Sequence, residues 1–115
     1  MNFQNIKEAV IAYIEGFKAS KQASDKGDFK TNNSIMINQV NPAFDYLKGN
    51  NELIRLVKFL ESEEYDVKQS IAVALLPYYE EIAIAVLEDI SKMNVPLNSF
   101  KAKIVLKKWR ESKTI

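Results

Sequence analysis

An all-α fold of about six helices is predicted for this 115-residue chain. Three observations predict it. Apolar residues recur at steps of three and four through most of the length. No stretch alternates apolar and polar residues as a half-buried strand does. Gly27, Gly49, Asn50 and Pro77 fall between the periodic stretches, where helices are expected to stop and start.

The clearest element is Asp66 to Leu76, DVKQSIAVALL. Val67, Ile71, Ala74 and Leu75 follow the i, i+4, i+7, i+8 spacing, and Ala72, Val73 and Leu76 fill much of the remaining surface. Its alanines and Lys-Gln start favour a helix over a strand. Asp66 is the expected N-cap, with Gln69 reaching back to it. Pro77 ends the helix, because it lacks an N–H and disfavours helical angles at the residue before it. This is expected to be the central helix, with the rest of the chain around it.

The other elements follow in order. Phe3, Ile6, Val10, Tyr13, Ile14 and Phe17 predict a helix from about Asn2 to about Ser24. Gly16 interrupts it, which suits a close approach by another helix. Gly27 is the expected stop and Asp28 the cap of the next segment. There Ile37, Val40, Phe44 and Leu47 form a stripe, and Pro42 is expected to kink the helix or begin a new one after Asn41. Gly49 closes it. Asn50 or Asn51 then caps NELIRLVKFLES, a third helix with Leu53, Ile54, Val57 and Leu60 inward. Glu80 and Glu81 open another helix, carboxylates beside the positive end of its dipole, with Ile82, Ala83, Val86, Leu87 and Ile90 as its apolar positions. The last helix runs from roughly Leu97 to Ser112 and buries Phe100, Ala102, Ile104 or Val105, Leu106 and Trp109.

Composition narrows the chemistry. A chain of this length with 47% hydrophobic residues is expected to form a single domain, residues 1–115, with a real core. It contains no cysteine and no histidine. That removes thiolate chemistry, the usual general base and the commonest zinc ligand. No catalytic, cofactor or metal residues are therefore expected, and none of the phosphate-loop, dinucleotide or zinc-protease motifs occurs. Lys7, Glu8 and Glu15 interrupt the first apolar pattern, unlike a signal peptide. No uncharged run approaches the roughly 18 residues of a membrane span. A soluble, cytoplasmic protein without membrane contact is expected. Formal net charge is +1, but it is unevenly spread: residues 1–47 balance, 48–97 carry net −4 and 98–115 net +5.

The segments at 50–79 and 80–112 align at a constant offset of 30 residues. Leu53, Leu56, Val57 and Leu60 fall on Ala83, Val86, Leu87 and Ile90. Val67, Ala72, Leu75 and Leu76 fall on Leu97, Ala102, Val105 and Leu106. A fixed period across two helices and a loop is the mark of a helical array. The short acidic loop followed by Asp66-Val67-Lys68, then Ala72 and Leu75, resembles a HEAT or armadillo-type repeat. Lys68 stands where that pattern usually has arginine. Over nearly its full length, through GDFKTNN at 27–33, YDVKQSIAVALL and AKIVLKKW, the chain is similar to a small family of bacterial HEAT-like domains of unassigned function. The resemblance implies an α–α superhelix of three antiparallel helix pairs and carries no active site with it.

Candidate binding residues follow from that resemblance and from charge. The second helices of such pairs line a shallow concave face, which points to Lys68, Gln69, Lys103, Lys107 and Arg110 as exposed partner-binding positions. A non-enzymatic protein-binding module is the expected function, an immunity-type inhibitor that neutralises a toxin being its most concrete form. The alternative is nucleic-acid binding through the basic C-terminal helix, Lys101 to Lys113. Several features have plainer readings. The same cations suit the negative end of their own helix dipole, and Trp109 sits at core spacing. Glu61, Glu63, Glu64 and Asp66 lack the glycine turn of a calcium loop. Tyr65, Tyr78 and Tyr79 suit packing, and Asn33 suits a tie between helices.

Overall fold

The structure, a computed structural model, describes residues 2–62 and 64–113. These are all-helical, and no strand occurs among them. No helix among them is long and apolar enough to cross a membrane. Contacts divide the chain into two compact units, Met1–Leu56 and Val57–Ile115.

In the first unit, α1 (Ile6–Asp25) begins where the Asn5 side chain accepts a 2.8 Å bond from the Glu8 N–H. It ends at Gly27, whose φ of 77° lets the Asp28 N–H return to the Ala23 carbonyl at 2.9 Å. Asp28 then caps α2 (Phe29–Ile35) by accepting from the Thr31 N–H. A π-helical turn (Met36–Val40) joins α2 to α3 (Asn41–Gly49), which starts with Pro42 in its first turn. Pro42 is thus the start of a helix, one of the two outcomes expected. α3 closes with Asn51 at φ 57° and the Glu52 N–H bonded to the Leu47 carbonyl. Asn50 therefore ends this helix and donates to the Tyr46 carbonyl; it does not cap the next one.

The π-turn explains two positions. A π-turn holds more residues than an α-turn, so the expected stripe is rotated through it. Ile37 is exposed, while Val40, Ala43 and Leu47 are buried. The same turn presses against α1 at Gly16, where an added Cβ would lie 2.7 Å from Val40 Cγ2. Gln39 reaches across to donate to the Ala12 carbonyl at 2.9 Å. The tie between α1 and α2 is made by Ser20 and Asn32, not by the exposed Asn33. Tyr13 fills the middle of this unit, edge-on to Phe17 with ring centroids 4.8 Å apart and tilted against Phe44 at 5.9 Å.

The expected helix over 51–62 is instead two pieces. A 3₁₀ segment, Leu53–Leu56, precedes the single-turn α4, Phe59–Ser62. Leu53, Leu56 and Leu60 are buried and Ile54 is exposed. The tighter 3₁₀ winding stacks residues three apart, which brings Leu53 and Leu56 to one side and turns Ile54 away.

The second unit is built on α5 (Tyr65–Leu75), α6 (Glu80–Lys92) and α7 (Asn98–Ser112). All three pack on one another, and α4 packs on α5. Their shared core comprises Val67, Ile71, Ala72, Leu75, Ala83, Leu87, Ile90, Ala102 and Leu106. α5 stops before Pro77, as expected, but starts at Tyr65, with Glu64 in the cap position and no side-chain cap bond. Asp66 therefore lies in the first turn rather than at the cap. The link from α6 to α7 uses left-handed backbone at Asn94 and Leu97 (φ 56° and 68°). Ser99 secures it, donating to the Ile90 carbonyl at 2.6 Å and accepting from the Val95 N–H at 2.9 Å.

Burial follows the 30-residue offset in part. Ala72 and Ala102, Leu76 and Leu106, and Leu60 and Ile90 are buried pairs. Val67 is buried while Leu97, its counterpart, is exposed, because the chain turns at Leu97 before α7 begins.

Candidate functional site

The α6–α7 pair carries the site. The two helices are tied at both ends. Near the C-terminus of α7, the Trp109 indole donates to Glu80 Oε1 at 3.0 Å and the Lys113 ammonium to Glu80 Oε2 at 3.0 Å. The same ammonium lies 5.0 Å from the centre of the Trp109 ring. These two donors, the indole first, hold the Glu80 carboxyl below its ordinary pKa, against an opposing effect of desolvation. Trp109 is half-buried, as a core cap should be. A second tie joins Arg110 to Glu88 at 2.5 Å.

Between these ties and the Ser99 link lies an open groove of about 470 Å³. Leu106 and Ser91 lie along its floor side; Lys92, Lys103, Lys107 and Arg110 supply cations, with Glu88 and Glu111 as carboxylates. The groove forms because Leu106 is buried on the core-facing side of α7, whereas Lys103, Lys107 and Arg110 fall a helical step around it. Lys92, Lys103 and Lys107 make no ion pair or hydrogen bond among the described residues. Arg110 is engaged with Glu88.

Three of the five expected contact residues, Lys103, Lys107 and Arg110, therefore come together. Lys68 does not join them: it is half-exposed on α5, 5.8 Å from the Tyr65 ring centre. Gln69 is a correction. It is only 7% exposed, with its Oε1 buried and unpartnered among the described residues. It precedes Ala72 by three residues and Leu76 by seven, so it lies on the buried face of α5 that they occupy. Gln69 thus faces inward and offers no contact surface.

Lys92 and Leu106 were missed as groove residues. The i, i+3, i+4 relations among Lys103, Leu106 and Lys107 were visible in sequence, but Lys92 joins them only through the antiparallel return of the chain. Phe100 was expected in the core and is instead exposed, as is Leu97. Glu63 of the acidic loop lies outside the described residues, and no cluster of metal-ligating side chains occurs among those described. Compared with protein-family models, with curated proteins and with solved structures, the chain matches none.

Proposed function

We propose that the chain is a non-enzymatic protein-binding module that contacts its partner through the α6–α7 groove. The observation that carries this reading is the placing of Lys92, Lys103 and Lys107, all without ion pairs among the described residues, around a groove with Leu106 at its base. A groove of that kind suits recognition by shape and charge. The absence of histidine and cysteine from the sequence supports a role without chemistry. The finer version is a HEAT-like helical array in a bacterial cell, acting as an immunity-type inhibitor of a partner protein. The offset of 30 residues and the paired burial of Ala72 with Ala102 and Leu76 with Leu106 support it.

The second reading is nucleic-acid binding, favoured by the net charge of +5 over residues 98–115. Phosphate binding by such a helix falls steeply with salt. Affinity capture from native lysate, with and without nuclease and at low and high salt, separates the two. A single protein retained after nuclease treatment, and lost when Lys103 and Lys107 are both changed to Ala, supports the binding module. Loss of every bound protein on nuclease treatment overturns it and promotes the second reading.

A further inference from the structure

We propose that the outward face of α7 docks an amphipathic helix of a partner protein with acidic flanks. The proposal rests on the protein-binding reading and adds a second contact surface beside the groove. Leu97, Phe100 and Ile104 are 71%, 65% and 37% exposed. Phe100 and Ile104 stand at i and i+4 and form one stripe along the helix, with Leu97 in the turn just before it. The opposite side of α7, at Ala102 and Leu106, is buried within the second unit. An exposed apolar stripe at this spacing matches the ridge that a second helix packs against, reading it through its own i, i+3, i+4 and i+7 side chains. α7 has 15 residues, so the stripe and its borders span about 22 Å, enough for a four-turn partner.

The charges beside the stripe identify that partner. The cations of α7 sort into two groups. Arg110 is paired with Glu88 and Lys113, just beyond the helix, with Glu80, both inside the chain. Lys101, Lys103, Lys107 and Lys108 border the stripe, are exposed, and have no ion pair among the described residues. Lys101 and Lys103 follow Phe100 by one and three residues, and Lys107 and Lys108 follow Ile104 by three and four. Glu111 stands further toward the C-terminus, beyond Ile104. An apolar ridge flanked by free ammonium groups is complemented by an apolar ridge flanked by carboxylates. A nucleic-acid backbone would meet the lysines but leave Leu97 and Ile104 against sugars and phosphates.

Leu97 adds an independent observation. Its φ of 68° is a region that leucine rarely occupies, because Cβ crowds the backbone there. Burial does not offset that cost, since the side chain is the most exposed large apolar group described. Strained backbone concentrates at sites whose geometry serves a contact. Here it holds a leucine at the head of the stripe, where a docked helix would cover it.

The test uses the full chain and two fluorescein-labelled synthetic peptides of 15 residues with the same helical leucine spacing. One carries glutamates on its polar face, the other lysines. Fluorescence anisotropy is expected to show the glutamate peptide binding at least tenfold more tightly than the lysine peptide. The exposed double variant Phe100→Ser, Ile104→Ser is expected to weaken it tenfold or more with unchanged circular dichroism. Lys7→Ala with Lys30→Ala, exposed in the first unit, is expected to leave it within about twofold. No binding, or equal binding of the two peptides, overturns the proposal. Sensitivity to Lys103→Ala with Lys107→Ala but not to the stripe variant also overturns it, while leaving the protein-binding reading in place. So does stripe-dependent binding of phosphatidylglycerol vesicles in the absence of peptide binding. A failure of the broader reading is seen separately, as loss of all captured protein on nuclease treatment.

Discussion

Trp109 donates its indole N–H to Glu80 at 3.0 Å, joining the last full turn of α7 to the first turn of α6 across 29 residues of sequence. The contact places a carboxylate at the positive end of one helix while satisfying the polar edge of a half-buried aromatic on the other. With Lys113 on the second carboxylate oxygen, it holds the α6–α7 pair shut at the end opposite the Ser99 link.

This tie has a pH signature. The folded carboxyl of Glu80 has a depressed pKa, so its contribution is fully present above the unfolded value of about 4.3 and is lost as pH falls through the folded value. Thermal melting between pH 7 and pH 2.5 is expected to show this as part of the acid-side fall in Tm. Glu80→Gln keeps a hydrogen-bond acceptor for Trp109 and does not titrate. Its Tm is expected to be lower than wild type at pH 7, with the difference narrowing toward pH 2.5. A constant difference across the range would show that Glu80 titrates alike in the folded and unfolded chains.

Two glycines separate packing from propensity. Gly16→Ala would normally gain roughly 1 kcal/mol of helix propensity. Here the new Cβ meets Val40 Cγ2 at 2.7 Å, and the π-turn behind Val40 is braced by Gln39 on the Ala12 carbonyl. The expected outcome is destabilisation by about 1–3 kcal/mol in urea unfolding. Gly49→Ala has nothing within 4 Å and no left-handed backbone, so it should stabilise by about 0.5 kcal/mol.

Relief of backbone strain at Leu97 is expected to stabilise the fold. Leu97→Asn tolerates the observed φ of 68° and forfeits little burial. A gain of about 1 kcal/mol is expected by chemical denaturation. The same change removes the head of the α7 stripe, so stability and affinity for the acidic peptide should move in opposite directions. A variant that loses stability would show that the leucine is held by packing.

Tyr13 offers a contrast between shape and polarity. The ring is packed on Phe17 and Phe44, yet its hydroxyl is buried without a hydrogen-bond partner among the described residues. Burial pushes its pKa up, so it stays neutral through the physiological range. Tyr13→Phe removes an unsatisfied group and keeps the ring. It is expected to leave stability unchanged or raise it by up to about 1 kcal/mol. Leu87→Ala, which empties a fully buried site in the second unit, should cost about 2–5 kcal/mol.

Helix type and most boundaries were legible from sequence because their causes are local. Gly27 supplies left-handed backbone, Asp28 a side-chain oxygen for the Thr31 N–H, Pro42 a first turn that needs no donor, and Pro77 a stop. The close approach at Gly16 was legible too, since an interior glycine is seldom retained in a helix without a steric reason. The break at Leu53–Leu56 was not. Its leucines fit either an α or a 3₁₀ winding, and the choice depends on which neighbours they meet. The π-turn at Met36–Val40 was hidden for the same reason, and with it the exposure of Ile37.

The candidate site divides along the same line. Clustered cations in the last helix are a property of sequence, and Lys103, Lys107 and Arg110 were named together from that charge and from the repeat resemblance. Which cations are consumed inside the chain was decided by tertiary structure, through Glu88 and Glu80 returning on α6. The inward turn of Gln69 and the outward turn of Phe100 were decided there as well. Sequence determines the period of an apolar pattern and the ends of a helix, because these rest on bonds within a few residues. Which side of that helix is covered depends on where the rest of the chain returns, and a single π-turn redirects every side chain beyond it.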